Sequence, residues 1–182
     1  MTGDFTFGFS TEFDVTVRHE RAADLDAIRE VNDRAFEGTL EGRIVDALRP
    51  SGELISLVAT VADRVVGHIA FSPVTVEPSS PTVRFAGLAP MAVLPEFQRH
   101  GIGGQLVRAG LDACRRSGYG AIVVVGHPDY YPRFGFVPAH TRGLKYEAPV
   151  PDDVFMVLEL VPGAIAGPPG VVRYRPEFSI TE

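Results

Sequence analysis

Apolar positions along the chain switch between two spacings, and the switches divide it into strands and helices. From Phe13 to His19 the alternation Phe13, Val15, Val17 predicts a first strand. Leu25, Ile28, Val31 and Ala35 then recur every three to four residues, which predicts a helix with Asp24 and Asp26 near its N-terminus. A second helix is expected over Leu40 to Leu48, with Leu40, Ile44, Val45 and Leu48 on one face and Pro50 stopping it. Leu54–Ala62 and Val65–Val76, joined at Asp63-Arg64, read as a β-hairpin. Val83 to Leu94 is nearly all apolar but carries Pro90, which cannot donate to a ladder, so a bulge or splayed edge is expected beside it. Ile102, Leu106, Gly110 and Cys114 share one face of a third helix, which Gly118 closes. Ala121–Val125 is a short apolar strand of the kind buried on both faces. The segment from His127 to Phe136 is aromatic and broken by Pro128 and Pro132, so any helix there is brief. Val154–Val161 predicts a last main strand before a Gly/Pro-rich tail, in which Gly170–Tyr174 reads as a strand covering the sheet.

These elements imply an α/β (α+β) fold: a mixed, partly antiparallel sheet of about six to seven strands with helices on both faces. Residues 1–12 place Phe5, Phe7 and Phe9 at alternate positions, an N-terminal extension that either adds an edge strand or stays unstructured. Residues 13–182 are expected to form one domain, since 182 residues suffice for a single sizeable core.

Composition narrows the function by exclusion. Seventeen Lys+Arg against 23 Asp+Glu leave a formal charge of −6, which disfavours a general nucleic-acid binder. Cys114 is the only cysteine, which excludes an internal disulfide framework, and five histidines without paired ligand spacing predict no metal site. The first residues lack a basic stretch followed by an apolar run, and no segment approaches the roughly 20 apolar residues needed to cross a bilayer. A cytoplasmic protein with no membrane partner is expected.

The chemistry concentrates in one turn. Gln98-Arg99-His100-Gly101-Ile102-Gly103-Gly104 joins the Pro90 strand to the third helix. Its three glycines leave backbone N–H groups unshielded at a helix N-terminus, where the macrodipole favours an anion, so the turn suits a pyrophosphate. It is not a Walker A loop, because no Gly-Lys-Ser/Thr follows and Lys145 is the chain's only lysine. Nor is it the dinucleotide fingerprint, whose third glycine would fall on Leu106. Average residue usage gives roughly 0.2 chance matches to a bare Gln/Arg-x-x-Gly-x-Gly/Ala pattern in a chain of this length, so the surrounding sequence must decide.

That context is specific. The run from Leu88 through Met91, Ala92 and Val93 to Gly103 resembles the central motif of the GNAT superfamily of acetyl-CoA-dependent N-acetyltransferases. Downstream, Tyr131-Pro132-Arg133-Phe134-Gly135-Phe136 is similar to the family's Tyr-x-x-x-Gly-Phe signature. The resemblance spans about residues 13–176. Val66-Gly67-His68, Ser72-Pro73-Val74, Tyr130-Tyr131, Phe155-Met156 and Pro162-Gly163-Ala164 are similar to a bacterial subgroup with poorly defined substrates.

The resemblance implies acetyl-CoA as cosubstrate, without a metal. The strand's backbone at Met91, Ala92 and Val93 would pair with pantetheine and polarise the thioester carbonyl, while Gln98, Arg99, His100, Gly101, Ile102, Gly103 and Gly104 would wrap the pyrophosphate. Tyr131 takes the position of the general acid that protonates the departing CoA sulfur, although an aromatic packing role beside Phe134 and Phe136 explains it too; Tyr130 is the fallback. Glu37 is the candidate base, with Asp129 and a water chain as rivals; an exposed loop carboxylate and a turn residue are their plainer explanations. His68 reads as a hydrogen-bonded structural residue, His127 as a departure from the subgroup's small residue there, and Cys114 as a buried hydrophobe. The implied acceptor is a primary amine on a small molecule or peptide; a homodimer is in keeping with the family. An acyl-CoA sensor without catalysis is the alternative, and a nucleotide-binding regulator is disfavoured by the missing Walker lysine.

Overall fold

The computed structural model describes residues 13–78 and 83–181; the Phe5, Phe7, Phe9 segment lies outside the described residues. In chain order the elements are β1 (Val15–His19), α1 (Leu25–Phe36), α2 (Leu40–Leu48), β2 (Ile55–Val61), β3 (Arg64–Glu77), β4 (Arg84–Val93), α3 (Ile102–Arg116), β5 (Tyr119–Val125), β6 (Val137–Pro138), β7 (Leu144–Tyr146), β8 (Phe155–Glu159) and β9 (Gly170–Arg173). The strands run β1-β2-β3-β4-β5-β8-β6 across the sheet, with β9 bonded to both β3 and β7. Pairing is antiparallel except for β4 with β5 and β7 with β9. The mixed, partly antiparallel architecture expected from the pattern is present.

Side-chain alternation along β3 shows how the helices divide between the two faces. A Cβ on Gly67 would meet Leu106 and Ile102 of α3, and one on Gly110 of α3 would enter the Phe71 ring, so Gly67, Ile69 and Phe71 face α3. His68 points the other way and meets Asn32 of α1 at 3.0 Å. Helices therefore cover both faces.

Three details differ from the pattern. The β2–β3 hairpin turns at Ala62-Asp63, both with positive φ (47° and 65°), and Arg64 already pairs with Val61. That is the backbone of a type I′ turn, which usually announces itself with Asn or Gly. β6 and β7 are two and three residues long, too short for an alternation to register. β9 is a strand as expected, but it extends β3 by pairing with Thr75–Glu77 instead of lying across the sheet.

The irregularity forecast at Pro90 has two parts. Ile69 faces Met91 and Phe71 faces Leu88, so Ala70 is opposed by both Ala89 and Pro90, a one-residue bulge. On the other edge, β4 pairs with β5 only from Arg84 to Gly87. Beyond Gly87 the two strands part, and the edge of β4 from Leu88 to Val93 is left open.

His68 sits at the centre of the α1 face, fully buried. The Asn32 amide donates to its Nδ1, so its Nε2 carries the proton toward Ser56 Oγ at 2.9 Å. Ser56 Oγ donates to Glu20 at 2.5 Å, and Glu20 is paired with Arg49 at 2.9 Å. The chain of bonds fastens α1 to β2 and β3, and burial pushes the His68 imidazole down to about 4. Cys114 is buried in α3, with its thiol pushed up to about 12 by that burial. Both residues have the structural roles expected of them.

Candidate functional site

A cleft of about 1550 Å³ opens where β4 and β5 separate. Single small-molecule sites usually occupy about 300–1,000 Å³, so this one has room for two reactants. Its two ends lie on opposite faces of the sheet. Met91 pairs with Ile69 and therefore projects to the α3 face, where its side chain lies 3.7 Å from the position of a Gly103 Cβ. Ala92 pairs with His68 and projects toward α1, whose Ala35 and Phe36 line the other end.

The open edge of β4 presents backbone groups in alternation. Leu94 N–H donates to Val66 O at 2.9 Å, placing Leu94 in a hydrogen-bonded pair with β3. Two residues back, Ala92 points its amide the same way, whereas Met91 and Val93 point theirs into the cleft. The Val93 carbonyl is already engaged there by the Gln98 side chain at 2.9 Å. Of the three backbone positions anticipated, Met91 and Val93 thus present donors to the cleft, and Ala92 contributes its side chain to the wall.

The glycine turn lies on the α3 face. Arg99 (φ 64°) and Gly101 (φ 81°) both adopt left-handed backbone, which folds the chain sharply into α3. No side chain caps this helix and its first turn holds no acid, so the leading N–H groups remain open. Gln98, Arg99, Gly101, Ile102, Gly103 and Gly104 all line the cleft. His100 is not in that lining; its ring stands edge-on to Phe13 at 5.1 Å. Three arginines surround the turn: Arg99, Arg108 and Arg133 line the cleft, and none forms an ion pair among the described residues. Arg108 lies 5.4 Å from the Phe134 ring centroid and Arg133 4.5 Å from that of Tyr130. In a chain of net charge −6, this is a local concentration of positive charge suited to phosphates.

Both tyrosines come from the segment after β5. Tyr131 starts a 3₁₀ turn, Tyr131–Phe134, that ends at Gly135 with φ 97°. Its ring is 7% exposed, packs edge-on to Phe136 at 5.6 Å, and passes so close to Gly126 that any Cβ there would strike it. Burial, reinforced by Tyr130, raises the Tyr131 phenol well above its ordinary value, so it stays protonated. Tyr130 instead reaches across the cleft, its hydroxyl 2.8 Å from where a Gly103 Cβ would be. Burial raises the Tyr130 phenol too, against the lowering effect of Arg133 and Arg108.

The carboxylates are arranged differently from the expectation. Glu37 caps the end of α1 in left-handed conformation (φ 55°), exposed and outside the cleft lining. Glu41, in the first turn of α2, does line it, as does exposed Asp129. A signal for Glu41 was available: it stands three and four residues before Ile44 and Val45, at the edge of the apolar face of α2. Phe178 also enters the lining, from a tail with no periodicity to mark it.

The family model for the acetyltransferase (GNAT) domain matches residues 16–139, which contain the bulged strand, the glycine turn and both tyrosines. The chain belongs to the GNAT acetyltransferase family. The Escherichia coli K12 uncharacterized N-acetyltransferase YhbS is 36% identical over 165 residues, 90% of this chain and 98% of that protein. The crystal structure of E. coli YhbS in complex with CoA superposes with TM-score 0.86 at 35% identity, covering 93% of this chain and 94% of its own. A Brucella melitensis GNAT acetyltransferase in complex with acetyl-CoA gives TM-score 0.75 at 37% identity, with 91% and 99% covered. The resemblance drawn from the two GNAT motifs is therefore correct, and so is the class of enzyme. Among the described residues of this GNAT protein, no helix is long and apolar enough to cross a membrane.

Proposed function

We propose that this acetyltransferase moves the acetyl group of acetyl-CoA to a primary amine of a small molecule or peptide by direct attack on the thioester. The observation that carries the reading is the fork between β4 and β5, whose single cleft runs from a phosphate-suited turn on one face to the α1 side on the other. The amides at the start of α3 and the surrounding arginines hold the pyrophosphate. The Met91 and Val93 N–H groups hold the pantetheine arm and polarise the thioester carbonyl. A neutral amine, having lost one proton to water, attacks that carbonyl from the α1 face. The C–N bond forms, the C–S bond breaks, the nitrogen sheds a proton, and Tyr131 donates one to the leaving sulfur. Proton removal from the amine falls to a carboxylate of the cleft, Glu41 or Asp129, or to water; Glu37 would need a water chain to reach it.

Gly103→Val tests the cofactor half. Gly103 lacks a positive φ, so valine there does not strain the backbone; it collides with the Tyr130 hydroxyl and shields the amides. Acetyl-CoA affinity measured by isothermal titration should fall at least about tenfold, roughly 1.4 kcal/mol, with ATP binding weakly to either protein. Unchanged affinity in a folded variant would remove the pyrophosphate assignment.

A further inference from the structure

The two ends of the cleft differ in chemistry. The α1-face end is walled by Phe36, Ile44, Pro90 and Phe178, with Val125 at its margin. Phe36 and Val125 are 44% and 42% exposed, two of the four large hydrophobic side chains left exposed among the described residues, and both line this cleft. Apolar side chains gathered at a concave site mark a surface that a ligand covers.

Glu41 of α2 adds a charge to that end. Glu41 has no ion pair or side-chain hydrogen bond among the described residues, although its surroundings are rich in arginine pairs. Asp46 on the same helix is held by Arg29 at 2.7 Å, and Glu96 by Arg34 at 2.9 Å. Arg43, two residues along, turns away to donate to the Thr181 carbonyl at 3.3 Å. The cleft's arginines lie around the phosphate turn, two of them stacked on Phe134 and Tyr130. A carboxylate beside an apolar wall, paired with no cation among the described residues, is complementary to a ligand that brings its own.

The C-terminal segment completes this end. Tyr174 packs its ring onto Gly87, the last paired residue of β4 at the fork, and donates to the Val123 carbonyl at 3.4 Å. Phe178 stacks edge-on to Tyr174 at 5.2 Å and so is held at the mouth of the fork, beside α2. This segment lies beyond residues 16–139, the part matched by the family model. Phe178 nevertheless lines the same cleft as Met91, Val93 and Tyr131.

We infer that the acceptor is a primary amine carried on an apolar body of aromatic size, its ammonium bound by Glu41 and its body packed against Phe36, Ile44 and Phe178. The inference rests on the acetyl-transfer reading and names the substrate class of that site. The test compares phenylethylamine, ethanolamine and a lysine-containing peptide at saturating acetyl-CoA, following free CoA. Phenylethylamine should give kcat/KM at least about tenfold above both others. Phe178→Ala should raise KM for phenylethylamine about fivefold with little change for ethanolamine, and Glu41→Gln should raise KM for both amines about tenfold. Both variants should keep the wild-type acetyl-CoA Kd, which also shows that they fold. Preference for ethanolamine or the peptide, or a KM indifferent to both substitutions, would overturn the inference while leaving acetyl transfer intact. Acetyl-CoA binding with no acetylation of any amine would instead defeat the acetyl-transfer reading itself.

Discussion

Replacing Tyr131 with phenylalanine should lower kcat by about 10- to 100-fold, the lower part of the range for general acid catalysis. The size follows from the leaving group. A thiol pKa near 8.5 makes CoA thiolate a tolerable one, so a proton assists departure without being indispensable. The direction follows from burial, which holds the Tyr131 phenol protonated well beyond the neutral range. Phenylalanine keeps the ring against Gly126 and Phe136, so the fold should persist and acetyl-CoA affinity should change by less than about 1 kcal/mol. Tyr130→Phe is the informative partner. Its hydroxyl lies over Gly103 at the phosphate turn, so removing it should leave kcat within about twofold and express any effect in acetyl-CoA Kd. Steady-state kinetics on the two variants decide the matter. A large kcat loss in Tyr130→Phe with none in Tyr131→Phe would move the proton donor by one residue.

Acid should destabilise the protein well above the range in which carboxylates protonate. His68 is buried with Nδ1 accepting from Asn32 and Nε2 donating to Ser56, a set of bonds that only the neutral ring can make. Burial lowers its pKa to about 4, with Glu20 opposing and Arg49 reinforcing the shift. An unfolded histidine protonates near 6.5, so below that pH the unfolded state binds more protons and stability falls. The loss grows as pH drops from about 6.5 toward about 4, reaching roughly 3 kcal/mol, at 1.36 kcal/mol per pH unit. Glu20 acts in a lower window. Burial pushes its carboxyl up, but Arg49 and Ser56 together pull it below the usual value, so its contribution is present above its unfolded pKa and lost below that. Urea unfolding at a series of pH values separates the two. His68→Gln should be less stable than wild type at pH 7 and should flatten the slope between about pH 6.5 and 4.5. A wild-type slope that survives the substitution would assign the loss elsewhere.

The parts of this molecule that were legible in the sequence are those whose causes are local. α2 begins at Leu40 and ends at Leu48 as its apolar spacing and Pro50 require, and the bulge and fork of β4 follow from placing Pro90 in an inner strand. The glycine turn was equally legible, because positive φ at Gly101 and open amides at a helix start leave their mark within a few residues. What escaped depends on contacts between distant segments. Asp63 tolerates left-handed backbone, but Ala62 accepts it only because the β2–β3 ladder imposes it. Nothing near Phe178 in sequence says that Tyr174 will seat it at the fork. Glu37 and Glu41 are separated by little more than one turn of chain, and only the angle between α1 and α2 brings the second into the cleft and leaves the first outside.

The most direct test of acetyl transfer at the fork is CoA release by the wild-type protein with and without an amine. Acetyl-CoA at saturation is followed for free thiol in the presence and absence of phenylethylamine, and the product is identified by mass spectrometry. The structure predicts release that depends on the amine and yields one acetamide per CoA. Tight binding of acetyl-CoA, with thiol release equally slow whichever amine is added, would contradict it and leave an acyl-CoA sensor.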